Sequence, residues 1–279
     1  MKRQTLGPSS TRNSKSRFGG IKQGEDERND EHSMYQLPGI PLTPSNQNMN
    51  RGVTFVLEKA SLVPAFVGRT YQILNPQVHA DFLRRKKLDP YKYRPDIVHE
   101  ALRQIMDTRL CKAGRLHAVY IKTDEGVLIK VEPHATIPES LEKVNYYSYL
   151  FSSTLNFLTV LLSFFLYIAA QLLQKLSIKS TGRRGRLLRV VKNPIAQHLP
   201  ANSLKIGLSL SSQKAVDLRD YVHEVSDNVN LVFVVGAMAH GRIDSENADD
   251  IISVSDYPLS AVVCLERIST ALERKWNIL

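Results

Sequence analysis

Arg94 and Asp96 flank Pro95, which brings a guanidinium and a carboxylate to a point where a helix can begin, since proline's fixed φ suits a first helical position. There the guanidinium can grip a phosphate through two parallel N–H···O bonds, and the carboxylate can accept from a ring N–H of a base. The plain alternative is internal: Asp96 caps its helix and Arg94 pairs with it, an arrangement worth about 1 kcal/mol. Gly236 follows an apolar run and Gly241 comes shortly after, where missing side chains let a backbone approach a ligand and adopt positive φ; an ordinary strand-to-loop turn has the same signature. Ser255 and Asp256 precede Tyr257-Pro258, a pair that fixes the chain direction and can present backbone amides and carbonyls to an adenine edge. His99, His198 and His240 are scattered, read as structural, and imply no metal.

The elements that must hold these groups can be read from periodicity. Residues 53–57 form a β-branched and aromatic run suited to a buried first strand, and residues 118–121 and 127–131 flank Asp124-Glu125-Gly126 as a hairpin. Between them Ile97, Ala101, Leu102, Ile105 and Met106 recur at helical spacing after Pro95. Further strands are expected around residues 187–191, 205–210 and 231–235, with a helix over 215–225 and a last helix from 260 to 276 after Pro258. Alternation of β and α elements argues for an α/β domain around a largely parallel sheet.

A chain of 279 residues with 43% hydrophobic residues can bury a substantial core. Its formal charge of +10 favours a polyanionic partner such as nucleic acid, because each cation that neutralises a phosphate releases counterions; a basic, well-solvated surface would give the same number. Cys111 and Cys264 stand far apart, which indicates neither a disulfide framework nor a zinc site and fits a reducing compartment. Residues 1–50 are poor in large apolar side chains and read as a disordered tail without the apolar stretch of a secretory signal, leaving 51–279 as the folded domain. The early cations Lys2, Arg3, Arg12, Lys15 and Arg17 suit a nuclear or nucleolar address or simple solvation.

Residues 144–174 contain no charge, and 157–170 are almost wholly apolar. The truly apolar part is shorter than the ~20 residues that a membrane span needs, and a buried helix is equally allowed. A span there would also part the hairpin from the later strands of one sheet, so a membrane anchor is not the reading preferred.

Several blocks together resemble the SPOUT-class RNA methyltransferases of ribosome assembly, which methylate N1 of a pseudouridine in small-subunit ribosomal RNA. They are Val56-Leu57-Glu58 with Ala60-Ser61-Leu62, Arg94-Pro95-Asp96-Ile97-Val98-His99, Lys112-Ala113-Gly114-Arg115-Leu116, Gln171-Leu172-Leu173-Gln174-Lys175-Leu176-Ser177-Ile178 and Val191-Lys192-Asn193-Pro194. The most specific are Val234-Val235-Gly236-Ala237-Met238-Ala239-His240-Gly241 and Val254-Ser255-Asp256-Tyr257-Pro258-Leu259-Ser260-Ala261. The resemblance implies a SPOUT α/β fold, a mostly parallel sheet flanked by helices with a C-terminal trefoil knot, an exception to the rule against knots. It also implies a homodimer, S-adenosyl-L-methionine as cofactor, small-subunit rRNA within a pre-ribosomal particle as partner, and nucleolar work. Cofactor contacts fall by analogy on Ser212, Gly236, Gly241, Val254, Ser255, Asp256, Tyr257, Pro258 and Leu259, and RNA contacts on Arg94, Asp96 and Lys143, with Asp96 orienting or deprotonating N1–H. A non-catalytic rRNA-binding assembly factor on the same fold is the alternative.

This chain departs from the family pattern after the hairpin. Thr136-Ile137-Pro138-Glu139 stands where relatives carry Arg-Ile-Pro-Arg, and Lys143 replaces a further arginine. Fewer cations predict weaker phosphate contact. Residues 144–169 then replace a Phe-x-Gly-Leu-Met block, so the domain is expected to be interrupted there, by a retained intron or an insertion that disturbs a core helix.

Overall fold

Strand β1 (Val53–Ala60) is buried along nearly its whole length, as a strand must be when both faces of its sheet are covered. In the computed structural model, which describes residues 52–135, 157–179, 186–243 and 248–278 (of 157–161 and 164 the backbone only), β1 lies in the middle of an eight-stranded sheet. The tail 1–50, Thr136, Glu139, Lys143 and residues 144–156 lie outside the described residues. β4 (Leu116–Thr123) and β9 (Asn230–Gly236) flank β1, with β8 (Ser203–Leu208) beyond β9 and β10 (Asp250–Ile252) at the edge, all in parallel. On the other side β5 (Leu128–Val131), β7 (Arg186–Val191) and β6 (Ser177–Lys179) extend the sheet antiparallel. The α/β class and mostly parallel sheet are therefore as the sequence predicts, and the β4–β5 hairpin turns at Gly126, whose φ of 81° only glycine adopts readily.

Alternation along β1 divides the core. Phe55 and Leu57 face one side with Val98, Ala101, Leu102 and Ile105 of α2 (Pro95–Asp107) and Leu265, Ile268 and Leu272 of α6 (Ala261–Lys275). Val56 faces the other side with Ala118, Val232 and Val234, against Ile195 in the 3-10 turn Ile195–His198. α6 starts where Ser260 Oγ accepts from the amide of Val263 at 3.4 Å, and α5 (Leu218–Glu224) where Asp217 accepts from Arg219, so polar caps set both boundaries.

Of the segment expected to interrupt the domain, residues 157–169 supply most of α4 (Phe157–Lys175). Leu162, Phe165, Leu166, Ala169 and Leu172 recur at helical spacing and are buried in the main core, while Tyr167 on the opposite side is 63% exposed. No helix among the described residues is long and apolar enough to cross a membrane.

The chain between β1 and α2 also holds structure that periodicity missed. β2 (Pro64–Val67) and β3 (Thr70–Ile73) form a separate hairpin, followed by α1 (Pro76–Arg85) and a 3-10 turn, Pro90–Lys92. Asn75 caps α1 by accepting from the amide of Gln77 at 2.9 Å, and the ring of His79 contacts Gln72 at 3.0 Å, joining helix to hairpin.

Candidate active site

At the carboxyl ends of β8, β9 and β10 their loops enclose a cleft of about 310 Å3, where open parallel sheets characteristically bind ligands. Leu208, Ser209 and Leu210 line it from β8, Gly236 and residues 238–243 from β9, residues 253–255 and 257–259 from β10, and Ala261 and Cys264 from α6. Of the cofactor residues anticipated from sequence, the cleft gathers Gly236, Gly241, Val254, Ser255, Tyr257, Pro258 and Leu259. Ser212 and Asp256 are not among its lining. Ser212 instead braces the loop, its hydroxyl donating to the carbonyl of Ile251 at 2.7 Å and accepting from the amide of Lys214 at 3.1 Å, while Asp256 is exposed.

The two glycines differ. Gly241 has a φ of 132°, a conformation that side chains rarely adopt, and an added Cβ would lie 3.1 Å from Met238 Sδ. Gly236 has no positive φ; its virtual Cβ meets Met238 Cε at 2.9 Å, the movable end of a flexible side chain. Met238 thus folds back between them, and room rather than backbone conformation makes Gly236 useful.

The remaining wall is held by its own polar groups. Ser253 Oγ donates to the carbonyl of Ser255 at 2.9 Å, Tyr257 N donates to Ser255 Oγ at 3.1 Å, and Arg267 Nη1 donates to the carbonyl of Val254 at 2.8 Å. Beneath it Asp250 takes Lys214 Nζ and the Tyr221 hydroxyl; these two hydrogen bonds hold its carboxyl below the usual range. Burial first, then Asp250, pushes the Tyr221 phenol up. Burial likewise raises the thiols of Cys111 and Cys264, so neither is disposed to act as a thiolate nucleophile.

Arg94 and Asp96 hold one another. Arg94 Nε donates to both Asp96 oxygens at 2.9 and 3.0 Å and Nη2 donates to Oδ2 at 2.7 Å, with the side chains 37% and 22% exposed. Asp96 does not cap α2, whose N-cap is Arg94 with no side-chain cap bond. The hydrogen bonds that Arg94 donates to Asp96 raise the Arg94 pKa above its ordinary value. The pair leaves Arg94 Nη1 unused, and three contacts on a carboxylate with about four lone-pair positions leave room for one more donor.

One backbone and one side-chain hydrogen bond place this pair at the same end of the sheet as the cleft. Ala237 N donates to the carbonyl of Glu58 at 2.7 Å, and Ser61 Oγ, just beyond β1, donates to the carbonyl of Lys92 at 2.7 Å. His99, one turn after Asp96, is buried against Phe165 of α4 with ring centroids 5.2 Å apart, and its Nε2 has no hydrogen-bond partner among the described residues. His198 contacts the carbonyl of Lys192 at 2.8 Å, as a structural histidine does, whereas His240 lines the cleft. Among the described residues no group of three His, Cys, Asp or Glu gathers to hold a metal. Leu208, Ser209, Leu210 and Cys264 went unseen in the sequence; the end of a predicted strand was the signal for the first three.

Comparison with known proteins bears on the same residues. The sequence model of the EMG1/NEP1 methyltransferase family matches residues 55–160 and 162–273, running almost unbroken through the apolar stretch. The mouse Ribosomal RNA small subunit methyltransferase NEP1 is 38% identical over 229 residues, covering 82% of this chain and 84% of that protein. Its human counterpart is 37% identical, with 85% and 87% covered, and the protein nep-1 of Caenorhabditis elegans 34%, with 85% and 94%. Among solved structures, Archaeoglobus fulgidus Nep1 bound to S-adenosylhomocysteine superposes with a TM-score of 0.55 at 18% identity, covering 81% of this chain and 99% of that one, which shows a shared fold.

Proposed function

The chain belongs to the EMG1/NEP1 methyltransferase family, and from that premise we propose that it methylates small-subunit ribosomal RNA, with S-adenosylmethionine as donor and N1 of a pseudouridine as acceptor. The setting is nucleolar assembly of the small subunit, with the chain acting as a homodimer. The observation that carries this reading is the cleft at the carboxyl ends of β8, β9 and β10, built from the two blocks that most resemble the family.

The cleft suits a nucleoside-type ligand. Gly236 and Gly241 add no side chains of their own to a wall where Met238 folds between them, and the pinned loop of residues 254–259 offers backbone polar groups beside the apolar Val254 and Leu259. When bound, the cofactor supplies a methyl group already activated on a sulfonium, so the protein contributes mainly position. Pseudouridine presents an N1–H that uridine lacks. Asp96, oriented by the Arg94 fork, accepts that proton or aligns the nitrogen through its remaining lone pair. Arg94 Nη1 is free of the fork and can take a neighbouring phosphate without releasing Asp96. The two sequence alternatives for this pair, mutual pairing and RNA contact, are therefore compatible. The target base has to leave its stack to reach this edge of the sheet.

Methyl transfer from labelled S-adenosylmethionine to matched RNA oligonucleotides, one with pseudouridine and one with uridine, tests the reading. Transfer to the pseudouridine RNA alone is expected. Transfer to neither, with RNA still bound, would favour the non-catalytic assembly factor. If Asp96→Asn turns over as fast as the parent while Asp96→Ala loses RNA, the carboxylate orients and does not act as a base.

A further inference from the structure

Residues 84–92 contain five cations and one carboxylate, and nothing in the reading so far uses them. Arg84 and Arg85 close the last turn of α1, where they complement the helix dipole, and Arg84 also pairs with Asp81 at 3.0 Å. Lys86, Lys87 and Lys92 lie beyond that helix, are exposed, and meet no carboxylate within ion-pair distance among the described residues. Between them Tyr91 is 73% exposed.

An exposed tyrosine alone means little. Here it is presented on a fixed turn. Asp89 accepts from the amide of Tyr91 at 3.0 Å, Lys92 N donates to the carbonyl of Asp89 at 3.2 Å, and Tyr93 N donates to the carbonyl of Pro90 at 3.1 Å. The bond from Ser61 Oγ to the carbonyl of Lys92 anchors the turn to the end of β1, and Leu88 N donates to the carbonyl of the fully buried Leu83 at 2.9 Å. The only carboxylate of the stretch, Asp89, is occupied in capping. Arg94 and Asp96 follow directly in the chain. An exposed aromatic side chain on a fixed turn, with cations before and after it in the chain that meet no carboxylate among the described residues and with Arg94 and Asp96 following, has the composition of a stacking platform for unpaired nucleotides.

We propose that this surface tracks single-stranded RNA flanking the target nucleotide, with Tyr91 stacked on a neighbouring base and Lys86, Lys87 and Lys92 on phosphates. The proposal rests on the RNA-methylation reading for its polyanion, but its residues lie outside the cofactor cleft and are tested apart from it. The probe is a roughly twelve-nucleotide single-stranded RNA with pseudouridine next to 2-aminopurine, titrated with the full chain across a salt series. Tyr91→Ala is expected to weaken binding about tenfold and to abolish the change in 2-aminopurine fluorescence, and Tyr91→Phe to restore both. The double variant Lys86→Gln/Lys87→Gln should reduce the slope of log K against log salt by about 1.4, two single-strand phosphates' worth. Binding of S-adenosylmethionine, measured on each variant, should match the parent. Tyr91→Ala binding RNA as the parent does, or Tyr91→Phe as weak as Tyr91→Ala, would overturn the stack; an unchanged salt slope would overturn the phosphate contacts. A parent chain that binds this RNA but methylates none of it would sink methyl transfer and leave the surface standing.

Discussion

The loop of residues 253–259 is tied down by hydrogen bonds, whereas Arg94 and Asp96 hold one another and inherit their position from the helix they begin. Under the cleft Ser253 N donates to the carbonyl of Lys214 at 2.8 Å and Val216 N to the carbonyl of Ser253 at 2.9 Å, so backbone pairing sets the wall. On the other side α2 carries Asp96 on its first turn and, one turn later, His99 pressed against Phe165 of α4. The cleft proposed for the cofactor should therefore tolerate side-chain changes except where a glycine is required. The Arg94–Asp96 pair proposed to meet RNA should be sensitive to how well α4 fills the core beneath α2.

The largest effect expected is in α4. Phe165 is 6% exposed, and Phe165→Ala should cost about 3–5 kcal/mol of stability through lost burial and the cavity left behind. Urea unfolding measures it. A cost below about 1 kcal/mol would mean that this helix is not core and that the apolar stretch interrupts the domain after all.

His99 gives the next effect. Burial, with Arg103 adding to it, holds its pKa down to about 4, against 6.5 for the free imidazole. Between those values the unfolded chain binds the extra proton, so this contribution is intact above pH about 6.5 and declines as pH falls towards 4. The loss reaches about 3 kcal/mol at its limit. In unfolding experiments at several pH values, His99→Leu should flatten that decline; parallel curves for parent and variant would show that His99 does not stay neutral in the fold.

These two residues also mark where the sequence stopped being readable. α2 was legible because its apolar residues recur at helical period, β1 and the β4–β5 hairpin because short β-branched runs are bounded by turn residues, and α6 because Pro258 marks its start. α4 is apolar nearly all round, so periodicity could not say which face is buried, and its place was read as an intrusion. β10 pairs through residues 250–252 with a strand more than forty residues earlier, a contact without a local signal. The β2–β3 hairpin and α1 did leave signals, in Gly68 and in Asn75-Pro76, but their four-residue strands and mostly polar helix were too weak a pattern to recognise. The cleft's glycines and its Ser-Asp-Tyr-Pro run could be assigned only through the family resemblance, because each alone fits an ordinary turn; that Ser212 braces the loop instead of lining the cleft follows from a side-chain bond that spacing does not encode.

At the cofactor end the glycines separate two causes. Gly241→Ala forces a side chain into a φ of 132°, a strain of about 1–3 kcal/mol, and should weaken S-adenosylmethionine binding by roughly ten- to a hundredfold in equilibrium dialysis. Gly236→Ala has only the movable end of Met238 to displace and should cost less. If Gly236→Ala proves the more damaging, close approach of the ligand, and not backbone conformation, governs this wall.

The smallest effect should come from Arg267, whose bond to the carbonyl of Val254 ties the loop through a long side chain from α6. Such a side chain loses rotamer freedom in making the bond, and its removal leaves the carbonyl at an exposed site where water can replace the donor. The bonds at Ser253 and Ser255 remain. Arg267→Gln should therefore lower cofactor affinity by less than about fivefold and leave RNA binding as it was. A hundredfold loss would show that the loop is held from α6 and not by its own backbone, and the contrast between a cleft wall held by main chain and an Arg94–Asp96 pair held by side chains would fail at the end where it is drawn most sharply.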